Sequence, residues 1–337
     1  MSQQTGTRPD RPDFADLTEP FRRELLAHCY RLLGSVDDAE DLVQETYLRA
    51  WRAYDGFQGR SSVRTWLYRI ATNACITASQ HRARRPLPSG LGGPGGGPSQ
   101  PQAGPGSEVA WLQPIPDALV TPETDDPAAV VVSRESLRLA LIASLQYLPP
   151  RQRAVLILRE VLAFPAAEVA AMLGTTTAAI KSALQRARSR IEQVAPRADS
   201  VTEPGEPEVR ALLERYITAF ESSDAAALEA LLRADATLEM TPSRTWFAGG
   251  EAVACAVSGL GSPGDWRMIA TAANGQPAAA AYLRGSDGLH RAYGIVVLTA
   301  GATGIARIVV FGDRDLFARF GLPPVHPADA APSPVAR

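Results

Sequence analysis

The sequence predicts a multidomain chain in which two all-α modules, joined by a Gly/Pro-rich linker, precede a C-terminal α+β domain. Three observations predict it. Before residue 85 the apolar residues recur with the period of buried helix stripes. Between 133 and 198 a short helix, a glycine turn and a basic helix follow one another. After 207 two helical segments are followed only by segments of strand character.

Thr18 to Leu33 reads as the first helix, with Thr18 as N-cap and Gly34 as its stop. The second, Asp37 to Tyr54, turns Ala39, Leu42, Val43, Thr46, Tyr47, Ala50, Trp51 and Tyr54 inward. Asp41, Gln44, Glu45, Leu48 and Arg52 form the opposite stripe. A face that needs only solubility scatters Lys and Glu, whereas Asp, Gln and Glu within one turn, followed by an outward Leu, make a docking surface for a basic partner. A loop, DGFQGRSS, separates it from a third helix, Val63 to Arg82. There Val63, Trp66, Leu67, Ile70, Ala71, Ala74 and Ala78 are the core stripe, and Arg64, Tyr68, Arg69, Thr72 and Asn73 face away. Cations, a ring and amides without a carboxylate are equipment for holding a single strand of nucleic acid. The basic stretch His81 to Arg85 extends that face.

Residues 86–132 read as a flexible tether, since Gly and Pro prevent regular structure through most of it. Within the tether WLQPIPD, residues 111–117, is too apolar for a solvated chain and predicts a docking segment. The second module, 133–198, is expected to hold helices at Ser133 to Leu148, Arg151 to Leu162, Pro165 to Leu173 and Ala178 to Val194. In the last, Ile180, Leu184, Ala187 and Ile191 are buried, while Lys181, Ser182, Gln185, Arg186, Arg188 and Arg190 are exposed. With Gly174 in the turn and Thr176 or Thr177 as cap, this is a helix-turn-helix pattern.

The C-terminal domain, 207–321, begins with helices at Glu208 to Ser222 and Ala225 to Arg233. Strands follow at Ala236 to Thr241, Arg267 to Ala273, Ala278 to Arg284, Leu289 to Thr299 and Ile305 to Phe311, a curved sheet wrapped on the helices. The tail, 322–337, is expected to lack structure. Charge is segregated: 133–198 carries a net +6 between a linker and a C-terminal part of −5 each, which hides a nucleic-acid footprint from the overall −2. Three scattered cysteines and four scattered histidines predict neither a disulfide framework nor a metal site, and no cofactor is expected. The first residues, MSQQTGTRPDRPDF, have no apolar export signal and no apolar run is long enough to span a bilayer, so the expectation is a cytoplasmic protein without membrane contact.

The runs AEDLVQETYLRAW, SVRTWLYRIATNACIT, LPPRQRAVLILREV and LGTTTAAIKSALQRAR together resemble an extracytoplasmic-function (ECF) sigma factor of the sigma-70 family. The first two match region 2, here 14–85, and the last two region 4. Residues 207–321 are similar to the SnoaL-like, or nuclear-transport-factor-2-like, cone that a subset of these factors carries, and WLQPIPD resembles a linker motif of that subset. The resemblance implies two partners, core RNA polymerase (β′ clamp helices and β flap) and promoter DNA. It implies that Asp41, Gln44, Glu45 and Leu48 meet the clamp helices. Gln58, Gly59, Arg60, Ser61, Ser62 and Val63, with Asn73 behind them, would capture a flipped base of the −10 element. Arg64, Tyr68, Arg69, Arg82, Arg84 and Arg85 would hold phosphates or stack. Lys181, Ser182, Gln185, Arg186 and Arg188 would serve the −35 major groove, with Thr176 and Thr177 at a phosphate. Ala183 stands where many members have Arg, and Ala179 where Thr is frequent.

A ligand-sensing helix-turn-helix regulator that works outside the polymerase is the competing reading, but it has no need of the acidic stripe or the carboxylate-free helix. An enzyme in the C-terminal domain would draw on Asp235, Glu239, His290, Tyr293 and Asp313, among which no pair stands at telling spacing. The expectation is that this domain is not an enzyme and regulates the helical modules by intramolecular contact. Its acidic excess suits masking of the basic helix-turn-helix surface.

Overall fold

The computed structural model describes residues 13–80, 84–95, 109–122, 127–194, 207–301 and 303–329. The first module is built from α1 (Phe14–Thr18), α2 (Arg22–Leu33), α3 (Val36–Ala53) and α4 (Val63–Gln80). Gly34 ends α2 in the left-handed conformation at φ 69°, and its N–H donates to Tyr30 O. Ser35 at once caps α3, its side chain accepting from Asp38 N at 3.2 Å, so α2 and α3 form a tight antiparallel hairpin. The linker contributes α5 (Asp117–Val120) and α6 (Pro127–Glu135).

The second module holds α7 (Leu139–Leu145), α8 (Pro150–Leu156) with a π-helical turn at Ile157–Val161, α9 (Ala166–Leu173) and α10 (Thr177–Val194). The single helix expected over Ser133 to Leu148 is in fact α6 and α7, broken at Ser136, Leu137 and Arg138. The break has a cause outside the segment. Leu137 O accepts from Asn274 Nδ2 at 2.7 Å and Leu139 N donates to Gln276 Oε1 at 2.9 Å, so the C-terminal domain takes backbone groups that a continuous helix would pair internally.

The C-terminal domain runs α11 (Pro207–Glu221), α12 (Ala225–Leu231), β1 (Leu232–Thr241), β2 (Trp246–Ala248), α13 (Gly250–Ser258), β3 (Trp266–Ala273), β4 (Gln276–Arg284), β5 (His290–Gly301), β6 (Gly304–Phe311) and α14 (Leu316–Arg319). The sheet order is β2-β1-β6-β5-β4-β3, with β1 and β6 parallel and the other neighbours antiparallel. Two elements, β2 and α13, escape sequence patterning: one is three residues long, and the other, GEAVACAVS, has almost no polar face to mark it.

Alternation along the strands gives the sheet two dry faces. Leu238, Met240, Ala279, Ala281, Val296, Leu298 and Ile308 pack against the helices of their own domain. Ala278, Ala280, Tyr282, Ile295, Val297, Val309 and Phe311 belong instead to one continuous core with both helical modules. The tail does not lose structure at 322: Ala292 N donates to Pro324 O at 2.9 Å, and Asp329 accepts from His290 N at 2.8 Å and from Arg267 Nη1 at 2.8 Å.

His28 on α2 is fully buried, with Nε2 2.8 Å from Thr72 Oγ1 and Nδ1 unpartnered. Burial, then the charges of Arg31 and Arg64, lower its pKa from 6.5 to about 3. The unfolded chain takes up this proton as pH falls through 6.5 while the native chain does not until about 3. Stability is therefore intact above the first value and falls between the two by up to about 1.4 kcal/mol per pH unit. Urea unfolding across that window is expected to show a shallower slope for His28→Gln than for the parent chain.

Candidate nucleic-acid interface

The acidic face of α3 stands in water. Asp41, Gln44 and Leu48 are exposed, whereas Val43, Thr46 and Ala50 point into the core. Glu45 is half-buried and pairs with Arg49 one turn on, at 2.7 Å. Trp51, expected inward, is 61% exposed. At this end of α3 the covering element is the five-residue α1, whose Phe14 meets the indole edge-on at 5.3 Å and leaves its face open.

The loop Gln58 to Ser62 is also exposed, with Gly59 turning at φ 67°. Phe57 stacks on Trp66 at 4.6 Å and Ser62 Oγ accepts from Thr65 N at 3.0 Å, which anchors both ends of the loop to α4. Val63 is half-buried and Arg69 exposed.

The rest of the expected strand-holding face is turned to other work. Tyr68 and Thr72, expected outward, are fully buried. The Tyr68 ring lies 4.9 Å from His28 and 5.3 Å from Phe164 of the second module, its hydroxyl donates to Glu24 Oε2 at 3.1 Å, and burial pushes its pKa up. Arg64 places Nε 3.0 Å from both Glu24 oxygens and stands 5.0 Å over the Phe164 ring. Burial pulls its pKa down, but the hydrogen bond to Glu24 and the neighbouring charges leave it raised. Asn73 is exposed at its edge, yet Nδ2 donates to Met172 O, near the C-terminal end of α9, at 3.0 Å. Arg84 stacks on Tyr147 at 4.1 Å, and Arg85 pairs with Asp38 at 2.5 Å. Arg82 lies outside the described residues. Periodicity had separated the two faces of α4 but could not say that the second module covers part of the polar one.

Helix α10 is open along its basic face: Thr176, Thr177, Lys181, Ser182, Gln185, Arg186 and Arg188 are all exposed. Gly174 at φ 61° makes the turn from α9, and Thr176 Oγ1 caps the new helix by accepting from Ala179 N at 3.2 Å. Arg188 is drawn toward Glu160 at 2.6 Å. The acidic C-terminal domain therefore does not mask this face, contrary to the expectation from charge. Its contacts fall on the linker, on α2 and α3, and on the entry to α7.

Those contacts converge on the β3–β4 turn, Asn274-Gly275, whose φ angles of 59° and 65° are those of a two-residue hairpin. Asn274 Oδ1 accepts from Ile115 N at 3.0 Å, and Asn274 Nδ2 donates to Tyr30 Oη and to Leu137 O, each at 2.7 Å. Gly275 N donates to Asp117 Oδ1 at 2.8 Å, and Pro116 bridges Ala273. One buried amide thus joins the first module, the linker and the second module. The docking segment WLQPIPD is what it grips: Leu112 and Ile115 are fully buried, and Gln113 is held by Tyr30, Ser35 and Asp37. The tether is therefore packed at 86–88 and over 112–116, while 91–94 stay exposed. Asn274 was absent from the sequence reading; the signal for it was the Asn-Gly dipeptide between two apolar alternating runs.

The titratable candidates of the C-terminal domain are not gathered at one centre. Asp235 pairs with Arg233. Glu239 is buried, accepts from Ser89 N at 2.8 Å and lies 3.6 Å from Arg307. Both ring nitrogens of His290 are engaged, by Asp329 at 2.7 Å and Gly264 O at 3.0 Å. Tyr293 packs edge-on against Trp266, and Asp313 receives Asp315 N. Among the described residues no group of His, Cys, Asp and Glu could hold a metal, and no helix is long and apolar enough to cross a membrane.

The family model for sigma-70 region 2 matches residues 17–85, and that for sigma-70 region 4 matches residues 138–191. The ECF RNA polymerase sigma factor SigG of Mycobacterium tuberculosis is 51% identical over 330 residues, covering 96% of this chain and 88% of its own. SigJ of the same organism is 31% identical over 221 residues, 65% of this chain and 62% of its own. A crystal structure of M. tuberculosis SigJ superposes with a TM-score of 0.62 at 24% identity, covering 92% of this chain and all of that one.

Proposed function

The chain belongs to the ECF sigma factors of the sigma-70 family, and from that premise we propose which of its surfaces meet polymerase and promoter and how its third domain controls them. As a sigma factor it gives RNA polymerase its promoter specificity and starts DNA-templated transcription, a family role that is not enzymatic. Two helical sigma modules and a SnoaL-like mixed-sheet domain make up its fold.

Asp41, Gln44, Glu45 and Leu48 dock on the β′ clamp helices, and region 4 meets the β flap. The observation that carries this is the outer face of α3, where Asp41 and Gln44 have no hydrogen-bond or ion-pair partner among the described residues and an exposed Leu48 lies beside them. Gln58 to Val63, with Arg69 and Asn73, receive the −10 strand, and α10 enters the −35 major groove through Lys181, Ser182, Gln185 and Arg186, with Arg188, Thr176 and Thr177 at its edges. Such a protein works in the cytoplasm and without catalysis of its own.

The closed arrangement is the resting one. It is supported by Asn73 being engaged by Met172, and Arg64 and Tyr68 by Phe164, so the −10 strand reaches that face only after region 4 moves off α4. The SnoaL-like domain regulates by holding this arrangement through Asn274 and not by covering α10.

Purified chain mixed with core polymerase is expected to form a stable complex and yield run-off transcripts from a randomised promoter library. Tight binding to duplex DNA without core, and none to core, would instead favour the free-standing regulator. Within the complex, Arg186→Ala is expected to cost about 1–3 kcal/mol at one −35 base and relax specificity there, whereas Arg188→Ala, at the groove edge beside the phosphates, weakens all promoters alike and lowers the salt slope by about one.

A further inference from the structure

A cavity of about 410 Å³ opens where the first module, the linker and the second module meet, and a buried arginine forms part of its wall. It lies at the small end of the roughly 300–1,000 Å³ that ligand sites occupy. Ala27 of α2, Val120 and Pro122 of the linker, Val132 of α6 and Leu162 after α8 make it largely apolar. Arg31 lines it too, with only 3% of the residue exposed. The Arg31 guanidinium donates through Nε and Nη2 to a single neutral acceptor, Ser136 Oγ, at 3.2 and 2.7 Å. Ser136 in turn donates to Ser133 O at 2.6 Å.

The carboxylate in the same wall, Glu24, acts on Arg31 through charge but makes no ion pair with it. Both of its oxygens are taken by Arg64, at 2.9 to 3.0 Å, and one also accepts from Tyr68 Oη at 3.1 Å. Two guanidinium groups therefore face one carboxylate, and no described carboxylate forms an ion pair with Arg31. Among the described residues the one hydrogen-bond acceptor of this buried cation is a hydroxyl, a costly arrangement that a bound anion would relieve. Burial pulls the Arg31 pKa down to about 10, against the smaller opposing effects of Tyr68 and Glu24.

We infer that this cavity binds a small apolar monocarboxylate, whose carboxylate pairs with Arg31 and whose hydrocarbon part lies against Ala27, Val120, Val132 and Leu162. Arg31 supplies the planar, charge-assisted donors that suit a carboxylate. The apolar remainder of the wall suits a hydrocarbon, and a neutral hydrocarbon would leave Arg31 as it is. Because all three segments contribute walls, such an acid binds the closed arrangement better than the open one and shifts the population toward it. That consequence rests on the closed form being the resting one; the binding itself does not.

Isothermal titration of the full chain with sodium octanoate, in the absence of polymerase, tests the site apart from the sigma-factor reading. Saturable one-to-one binding is expected, weakened roughly tenfold to a hundredfold in Arg31→Met, the worth of a hydrogen bond to a charged group. Val132→Trp, at a half-open position that tolerates bulk, is expected to block the cavity and abolish the heat while leaving the fold intact by circular dichroism. Equal affinity for octanoate and 1-octanol, equal binding by Arg31→Met, or no binding by the parent chain would each overturn the assignment. With core polymerase present, octanoate is then expected to depress run-off transcription by the parent and not by Arg31→Met; binding without this effect sinks only the regulatory consequence.

Discussion

Asn274→Ala is expected to release the second module from α4 and to raise promoter-dependent transcription by on the order of a hundredfold where the closed form dominates. The substitution leaves Ile115 N and Leu137 O without a partner, while Tyr30 Oη keeps only its bond to Gln113 O. Each buried polar group left unpaired costs about 1–3 kcal/mol, and water entering the junction recovers part of the sum. A net of about 3 kcal/mol is then a factor of roughly 150 in the open-to-closed ratio. Hydrogen exchange should rise at Tyr68, Asn73 and the segment 112–116 while β4 and β5 stay protected, which separates opening of the junction from unfolding of the domain. Gly275→Ala offers an independent route to the same state, because its φ is +65° and a Cβ there would stand 2.7 Å from Arg134 O. If exchange and transcription are unmoved by both changes, the turn is only a structural seam and the regulatory proposal fails.

The second large effect is expected on α3. Reversing Asp41 and Glu45 together to Arg presents like charge to a basic partner, which costs several kcal/mol, and should lower affinity for core polymerase by at least about a hundredfold. Folding is spared because Asp41 makes no hydrogen bond among the described residues and Glu45 loses only a surface pair with Arg49, a contact worth about 0.3–0.5 kcal/mol. Leu48→Ser should add a smaller loss, with little dependence on salt. Pull-down with purified core polymerase over a salt series distinguishes the two contributions, since the charge term shrinks as salt rises and the apolar one does not. Undiminished binding by the double reversal would place the polymerase contact elsewhere.

Local chemistry made much of this protein readable. Helix periods, stops such as Gly34 and Gly174, and the glycine turn before a basic helix are decided by neighbours within a few residues, so α2, α3, α4, α9 and α10 follow from the residues themselves, although Thr18, expected to cap the first helix, instead ends α1 and α2 begins at Arg22. So do the exposed faces of α3 and α10, because among the described residues no segment returns to cover them. Segregation of charge likewise located the basic module without a structure.

What lay beyond the sequence was every surface whose fate depends on a distant segment. Tyr68 and Thr72 lie on a polar-looking stripe, and only the arrival of Phe164 and the placement of His28 make them interior. The helix over 133–148 has helical residues throughout and is broken because Asn274 and Gln276, more than a hundred residues later, bind its backbone. Charge complementarity pointed the acidic domain at α10, but apolar burial won: the second dry face of the sheet had to be covered, and the cores of the helical modules cover it. Sequence by itself determined the elements and the chemistry of the faces that stay in water. Tertiary structure alone decided which faces meet, because burial is settled by shape and total apolar area across the whole chain and not by the pattern of any one helix.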